Sequence, residues 1–424
     1  MTSLKVCPQL TPASSYQSSA HRSSRDFSSE KVSNNSYTAT KQCTRIFDTV
    51  SKGNCQDKRE TLYLGLSSED RARKAVMNAF AKSPAKLIHT YSVISVVGFG
   101  SNGVILAALS NLGKQSYTAP LAIKIIYKAK PGMIPVSLYP PEIQILQRLT
   151  TAQVEIKNSP LVTYIDSWQD LNHFYLVTNY CGTDWESHSN NYIDTTHPRN
   201  VSFQSRYLGE IRTHSFPITT GSNDLWQWSY ALRCYNYYHN TNAKASTIVP
   251  RQAIKHVIRQ IAQGLSFMHS QGIYHGDVKI ENVICEHVSG SLPRTYLTDF
   301  GHAQYAEYGI KQYGTQTTSG PEFLQDSPFI DNQLDGRASD VFALGVALMI
   351  LVSERGEEPE SLRVINNEDY KYFAVLKARS GQFPFVENVE DVGHDFWNLV
   401  DGMCRVDPRE RLTIEQILQH SWLQ

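Results

Sequence analysis

The feature of this sequence that most constrains its fold is a change in hydrophobic periodicity along the chain. Between residues 91 and 180, short runs rich in β-branched and aromatic residues are separated by glycine, asparagine and serine turns, a pattern typical of strands. After residue 250, apolar residues instead recur at three- and four-residue intervals, which predicts helices. A small β-rich part followed by a mostly helical part indicates an α+β fold with two lobes.

Local signals place the individual elements. Strands are expected over residues 91–97, 104–109, 121–127, 161–168 and 174–180. One helix interrupts them and begins at Pro140-Pro141, because proline suits the first turn of a helix. In the second part, helices are predicted from Pro250 to Gly272, over the apolar run 341–352, and from Thr413, where Gln416 completes a capping box.

The first 90 residues differ from the rest of the chain. Residues 1–60 are rich in serine, threonine, asparagine and glutamine, and a segment so poor in large apolar residues is expected to be disordered. Residues 61–90 are interpreted as a linker containing a helix, with Ser67 and Asp70 as its capping pair and Val76, Met77, Ala79 and Phe80 on its apolar side. Packing against the neighbouring lobe is favoured for this helix over binding to a membrane surface.

Composition excludes several classes of partner and location. The formal net charge is zero, so nothing global indicates nucleic acid or an anionic membrane surface as a partner. The longest apolar run, 341–352, is shorter than the ~20 residues needed to span a bilayer. Seven cysteines without metal-ligand spacing indicate reduced thiols, so the cytoplasm is the expected location, with the nucleus as an alternative.

A glycine-rich run lies between the first two predicted strands. Its glycines would let the backbone N–H groups approach phosphates closely; the run comprises Gly98, Phe99, Gly100, Ser101, Asn102 and Gly103. Dinucleotide-binding folds share this spacing but place a helix after it, whereas here a strand pair follows. The next strand carries Lys124, whose charge needs a partner inside an apolar strand, and Glu142 on the following helix is the expected partner.

A second group of polar residues follows the long helix of the second part. It contains two carboxylates, an amide and a lysine, namely Asp277, Lys279, Asn282 and Asp299. One carboxylate can orient an attacking hydroxyl, while the other carboxylate and the amide offer the oxygen ligands that Mg²⁺ prefers. This order of residues therefore indicates phosphoryl transfer.

Together these residues resemble the eukaryotic protein kinase family, over about residues 91–422. The resemblance implies the two-lobed protein kinase fold, with residues 91–180 as the N-lobe and 181–424 as the C-lobe. It also implies ATP and Mg²⁺ as cofactors and proteins as substrates.

The resemblance implies a role for each site residue. Gly98 to Gly103 would cover the ATP phosphates, Lys124 would hold them, and Glu142 would fix Lys124. Asp277 would be the catalytic base, Lys279 would support the transferred phosphoryl group, and Asn282 and Asp299 would bind Mg²⁺. The adenine would contact the side chains of Ile105, Ala122 and Ile284 and the backbone of Asn179 and Cys181. Leu146, His275 and Phe300 would stack as a hydrophobic spine.

Other matching positions are structural or concern the acceptor. Glu322, in Gly320-Pro321-Glu322, is expected to pair with Arg411, and Asp340 is expected to anchor the catalytic loop. Lys279 and Thr315 resemble the serine/threonine branch, in which Thr315 would bond to Asp277 and Lys279. Residues 367–373 are similar to the calcium/calmodulin-dependent branch. Glu281 is compatible with a preference for basic substrates and equally with a solvated surface role.

The sequence departs from the family pattern at three places, one of which, Gly320 where the family has alanine, is a small-for-small change expected to have little effect. Gly276 stands where the family has an arginine that grips an activation-loop phosphate, and Lys311 stands where that phosphate would be attached. We therefore expect that activation-loop phosphorylation is not required. Residues 184–248 form an insert whose aromatic residues favour partial folding. Passive packing of this insert on the lobe is favoured over a docking or regulatory role; a regulatory partner, if one exists, is expected to bind through the insert or the N-terminus. An active kinase is favoured, and a pseudokinase acting as a nucleotide-binding scaffold is the alternative.

Overall fold

The computed structural model confirms an α+β fold with a β-sheet lobe and a helical lobe. It describes residues 63, 65–100, 102–111, 120–128, 139–153, 159–183, 223–239, 249–288, 291–309, 314–315, 318–323, 334–352 and 393–424. Residues 1–60, Ser101, Lys311, residues 367–373 and most of the 184–248 insert lie outside the described residues.

The first lobe contains a five-stranded antiparallel sheet with strand order β1-β2-β3-β5-β4. The strands are β1 (Tyr91–Phe99), β2 (Gly103–Ser110), β3 (Leu121–Tyr127), β4 (Tyr164–Gln169) and β5 (His173–Asn179). Side chains alternate between the two faces of each strand, as the strand period requires. One face therefore contributes to the lobe's core and the other faces the second lobe.

Two helices flank this sheet. Helix α1 (Ser68–Lys82) begins after Ser67, whose hydroxyl accepts from the Asp70 amide as predicted, and a π-helical turn (Ala85–Thr90) joins it to β1. Helix α2 (Pro141–Ala152) begins at the predicted proline pair and buries Ile143 and Leu146. Within α1, Met77 is 52% exposed, so its assignment to the apolar side was wrong.

The second lobe is mostly helical. Its helices are α3 (Leu225–His239), α4 (Arg251–Ser270), α5 (Gly336–Val352), α6 (His394–Met403) and α7 (Ile414–Gln419). Short strands pair as β6 (Ile273–Tyr274) with β9 (Gln304–Tyr305) and as β7 (Val283–Glu286) with β8 (Arg294–Leu297). The predicted helices after Pro250, over 341–352 and after Thr413 are confirmed, the last with its capping box.

The predicted start of the fourth strand at residue 161 was wrong. Leu161 instead forms an isolated parallel bridge with Leu297, and the Val162 amide donates to the Leu297 carbonyl at 3.1 Å. These backbone bonds go to the second lobe, so Tyr164 is the first residue free to join the sheet. The segment therefore connects the two lobes.

The described residues bury two apolar clusters. The larger lies in the helical lobe and extends to α2 and to parts of β3 and β5. The smaller lies between α1 and the sheet, which confirms that this helix packs against the neighbouring lobe. None of the helices in the described residues is long and apolar enough to cross a membrane.

Candidate active site

A cleft of about 430 Å³ lies between the sheet and the helical lobe. Most of the residues predicted to bind nucleotide or metal line it: Gly98, Phe99, Gly100, Asn102, Gly103, Ile105, Ala122, Lys124, Glu142, Asn179, Cys181, Asn282, Ile284 and Asp299. Asp277, Lys279 and Thr315 form a hydrogen-bonded group joined to Asn282. The fold thus brings together residues that are more than 200 positions apart in the sequence, from Gly98 to Thr315.

The glycine-rich loop is a tight turn between β1 and β2. The Gly100 amide donates to the Gly103 carbonyl at 2.9 Å, which closes the turn. A β-carbon at position 103 would lie 2.5 Å from the Ile125 carbonyl oxygen, so strand packing requires glycine there. A β-carbon at Gly98 or Gly100 would meet nothing within 4 Å, so these two leave open space at the cleft.

Lys124 connects the sheet, helix α2 and the loop that follows β8. Its Nζ lies 2.5 Å from Glu142 Oε1 and 2.7 Å from Asp299 Oδ1. Burial would lower the pKa of Lys124, but the two carboxylates outweigh burial and raise it above the ordinary value. The lysine therefore remains a cation at the back of the cleft.

Asp299 differs from Glu142 in its exposure. The Glu142 side chain is 8% exposed, whereas that of Asp299 is 44% exposed although it also contacts Lys124. The Lys124 charge holds the pKa of Asp299 below its usual range, so the carboxylate is ionised at neutral pH. Its backbone is left-handed, with φ of 60°, the one positive φ at a non-glycine residue among those described. Such backbone strain is typical of functional positions.

Four residues form one hydrogen-bond network: Asp277, Lys279 and Asn282 belong to the loop 275–282, the predicted catalytic loop, and Thr315 belongs to the segment that ends at Gly320-Pro321-Glu322, the predicted activation segment. Thr315 Oγ1 donates to Asp277 Oδ1 at 2.7 Å, and Lys279 Nζ lies 2.8 Å from Thr315 Oγ1 and 3.1 Å from Asp277 Oδ2. The Asn282 amide donates to Asp277 Oδ2 at 2.9 Å and to its carbonyl oxygen at 2.8 Å. Burial opposes ionisation of Asp277, but Lys279 and Thr315 lower its pKa below the ordinary value.

Asp340 holds the loop that carries Asp277. Its carboxylate accepts from the backbone amides of His275 at 2.7 Å and Gly276 at 2.9 Å, and it lies 2.9 Å from His269 Nε2. Asp340 is fully buried at the start of α5. A buried carboxylate with several partners is fixed in place, so the catalytic loop has a rigid base.

The predicted structural partners are also in contact. Arg411 makes a buried, two-pronged bond to Glu322, with nitrogen–oxygen distances of 2.8 and 2.6 Å. The His275 and Phe300 ring centroids lie 5.4 Å apart. Leu146 on α2 belongs to the same buried apolar cluster as Phe300. The predicted spine members are therefore buried, with two of their rings in contact.

Sequence reasoning missed one part of the cleft wall. Asn223 and Asp224, just before α3, line the cleft although a long insert separates them from Cys181. Asn223 Nδ2 donates to the Cys181 carbonyl at 2.7 Å, and the Asn223 carbonyl accepts from the Cys285 amide at 2.7 Å. Nothing in the local sequence marks these residues, because their position depends on where the chain returns after the insert.

The donor set fits ATP with Mg²⁺. The open space at Gly98 and Gly100 leaves room for phosphates beside the backbone, and Lys124 offers them a cation. Asp299 presents a half-exposed, ionised carboxylate. The Asn282 amide nitrogen donates to Asp277, so the Asn282 amide oxygen is the atom left to bind a metal. The Asp299 carboxylate and this amide oxygen are both hard oxygen ligands of the kind that Mg²⁺ prefers.

Comparison with known proteins finds similarity to protein kinases. The family model described as "Protein kinase domain" matches residues 231–423. The chain is 27% identical over 205 residues to "Serine/threonine-protein kinase chk1" of Schizosaccharomyces pombe, covering 48% of this chain and 39% of that protein. It is 28% identical over 248 residues to "Probable serine/threonine-protein kinase KCC4" of Saccharomyces cerevisiae, covering 56% and 22%.

A third relative belongs to the calcium/calmodulin-dependent kinases. The chain is 30% identical over 176 residues to "Calcium/calmodulin-dependent protein kinase type 1" of Caenorhabditis briggsae, covering 41% of this chain and 45% of that protein. The chain thus spans less than half the length of each of these three relatives. The matched domain, these relatives and the fold together show that the chain is similar to eukaryotic protein kinases of the serine/threonine branch.

Proposed function

We propose that this protein transfers the γ-phosphoryl group of ATP to serine and threonine hydroxyls of protein substrates, with Mg²⁺. The observation that carries the proposal is the completeness of the two ion-pair groups in one structure. Lys124 contacts both Glu142 and Asp299, while Asp277 is bonded to Thr315 and lies beside Lys279. In protein kinases the lysine–glutamate ion pair and the metal-binding aspartate must both be in place for transfer, and a separate aspartate accepts the proton of the substrate hydroxyl.

The chemistry then consists of positioning and charge stabilisation. Asp277 orients the acceptor hydroxyl and takes its proton as the oxygen–phosphorus bond forms and the bond to the leaving ADP oxygen breaks. Lys279 and Lys124 balance negative charge on the phosphoryl groups. Mg²⁺, when bound by Asp299 and Asn282, would supply further charge neutralisation.

The Thr315 contacts support serine and threonine as acceptors. Its hydroxyl bridges Asp277 and Lys279, and this lysine and threonine are the two positions that resemble the serine/threonine branch. Serine/threonine kinases among the relatives support the same acceptor class.

We further propose that activity does not depend on activation-loop phosphorylation. Gly276 has φ of 75° and no side chain with which to grip a phosphate. Its carbonyl instead accepts from the Gly314 amide at 2.9 Å, next to the Thr315 bond to Asp277. The activation segment is therefore held against the catalytic loop by bonds that need no phosphate.

Two experiments test the two parts of this proposal. Transfer of labelled phosphate from ATP with Mg²⁺ to a mixed peptide library should yield phosphoserine and phosphothreonine, and Asp277→Ala should remove the label. Absence of transfer with intact ATP binding would favour the scaffold alternative. A variant with both Tyr308 and Tyr313 replaced by phenylalanine, treated with phosphatase, should have an activity within about twofold of the wild type. A large loss would contradict independence of activation-loop phosphorylation.

A further inference from the structure

The back of the N-lobe sheet is covered by the chain that precedes β1. This N-terminal cover comprises residue 63 and residues 65–90. Helix α1 buries four small side chains against the sheet, namely Ala72, Ala75, Val76 and Ala79. They share an apolar cluster with the back face of the nucleotide-binding strands: Val104, Leu106, Ile123 and Ile125.

These back-face residues alternate with the residues that form the cleft. On β2, Ile105 lies between Val104 and Leu106, and on β3, Lys124 lies between Ile123 and Ile125. Because strand side chains alternate between faces, each back-face contact lies one residue from a cleft residue. In the register, Ile105 is opposite Lys124, and a one-residue slip would move Lys124 out of the cleft.

Polar contacts fix the cover at its beginning. The Tyr63 hydroxyl bonds to Nε2 of His173, which is fully buried at the start of β5. The Tyr63 ring also lies against the Tyr127 ring at the end of β3, with centroids 4.7 Å apart and the planes tilted by 31°. The cover therefore begins over β3 and β5.

A second set of contacts fixes the other end of the cover. Asp166 on β4 lies 3.0 Å from Lys86 Nζ and accepts from the Tyr91 hydroxyl at 2.7 Å. Lys86 also lies over the Trp168 ring. With both ends anchored and α1 packed in between, the cover contacts all five strands.

We propose that the N-terminal cover positions Lys124 and the strands around it for ATP, so that α1 acts on nucleotide affinity without touching nucleotide. Val76 and Ala75 are then positioning residues that act through the β2–β3 pair. This inference rests on the proposed function, because it concerns the same ATP site. A packed side chain remote from a ligand can shift its affinity by changing the equilibrium of the element between them.

Two substitutions in the full chain test the interface between α1 and the sheet, one by removing side-chain volume and one by adding it. Val76→Ala removes a buried contact, and Ala75→Leu forces extra volume between helix and sheet. Met77→Ala is the matched control, because Met77 directly follows Val76 on α1 and is 52% exposed. Each variant is studied well below its unfolding temperature, measured by circular dichroism.

The measurement is the Kd of Mg·ATP by calorimetry, together with KM for ATP and for a peptide substrate. We expect Val76→Ala and Ala75→Leu to weaken ATP binding about three- to tenfold, with KM for the peptide nearly unchanged and Met77→Ala like the wild type. Unchanged ATP affinity in folded Val76→Ala would overturn the inference and leave the proposed function intact. If the wild type bound no ATP, the proposed function would fall and this inference with it.

Discussion

The glycine-rich loop and the catalytic loop face the same cleft but are built in opposite ways. Asp277 in the catalytic loop has three side-chain partners, and Asp340 holds the loop from below with a fully buried carboxylate. The described residues of the glycine-rich loop are held by backbone bonds, from the Gly100 amide to the Gly103 carbonyl and from the Tyr127 amide to the Asn102 carbonyl, and the loop presents open space at Gly98.

This difference corresponds to what each loop must do. Groups that stabilise a transition state are most effective when their positions are fixed before reaction, and the network around Asp277 provides that fixation. A loop that covers phosphates must instead admit a ligand, so its backbone needs room. Substitutions in the two loops should therefore differ in the size and kind of their effects.

Removing the centre of the fixed network should have the largest effect. Asp277→Ala should lower kcat by about 10²–10⁴, the usual contribution of general-base assistance. Asp277 is not among the residues that line the predicted nucleotide cleft, so the Kd for Mg·ATP should change little. Steady-state kinetics and calorimetry check both parts, and retained turnover would contradict the assignment of Asp277 as base.

Removing one hydrogen bond from the network around Asp277 should lower kcat less than Asp277→Ala does, and it should also change the pH dependence of the reaction. Thr315→Val removes the hydroxyl that donates to Asp277, and loss of a bond to a charged group, about 1.5 kcal/mol, corresponds to about a tenfold fall in kcat. Since that bond stabilises the ionised carboxyl, its loss raises the pKa of Asp277. The acid side of the kcat/KM profile should therefore move to higher pH.

Thr315→Ser is the matched control for this pH effect, because it keeps the hydroxyl. Its profile should coincide with that of the wild type. A Thr315→Val profile with an unmoved acid side would show that the Thr315 bond does not control the ionisation of Asp277.

Within the open loop, two glycines should respond differently to the same substitution. Gly103→Ala places a methyl group against the Ile125 carbonyl and should destabilise the protein by about 1–3 kcal/mol, as overpacking does. Gly98→Ala should change the free energy of unfolding by less than about 0.5 kcal/mol, yet raise KM for ATP. Denaturant titration and kinetics separate the two, and equal destabilisation would contradict the contrast.

The sequence predicted those parts of the molecule that depend on local signals. The proline pair before α2 and the capping box at Thr413 mark helix starts within a few residues, because capping is a short-range interaction. The site residues were predicted by their resemblance to a known family, and the structure places those it describes either along one cleft or in the hydrogen-bond network joined to it through Asn282. Their individual roles stay predictions until the variants above are measured.

What the sequence did not predict depends on contacts between distant segments. The bridge between Leu161 and Leu297 shifted the start of β4, and Asn223 reached the cleft from beyond the insert. The π-helical turn 85–90 and the bond from Tyr63 to His173 were likewise not foreseen. Such pairings are set by tertiary packing, which overrides local propensity.

The packing of α1 on the sheet also bears on the solubility of shortened forms of the protein. A chain that began at Tyr91 would expose Leu106, Ile123 and Ile125, each of which is fully buried. A contiguous apolar surface of this kind promotes self-association. Such a shortened chain is therefore expected to aggregate, even though it would retain every residue assigned a role in phosphoryl transfer.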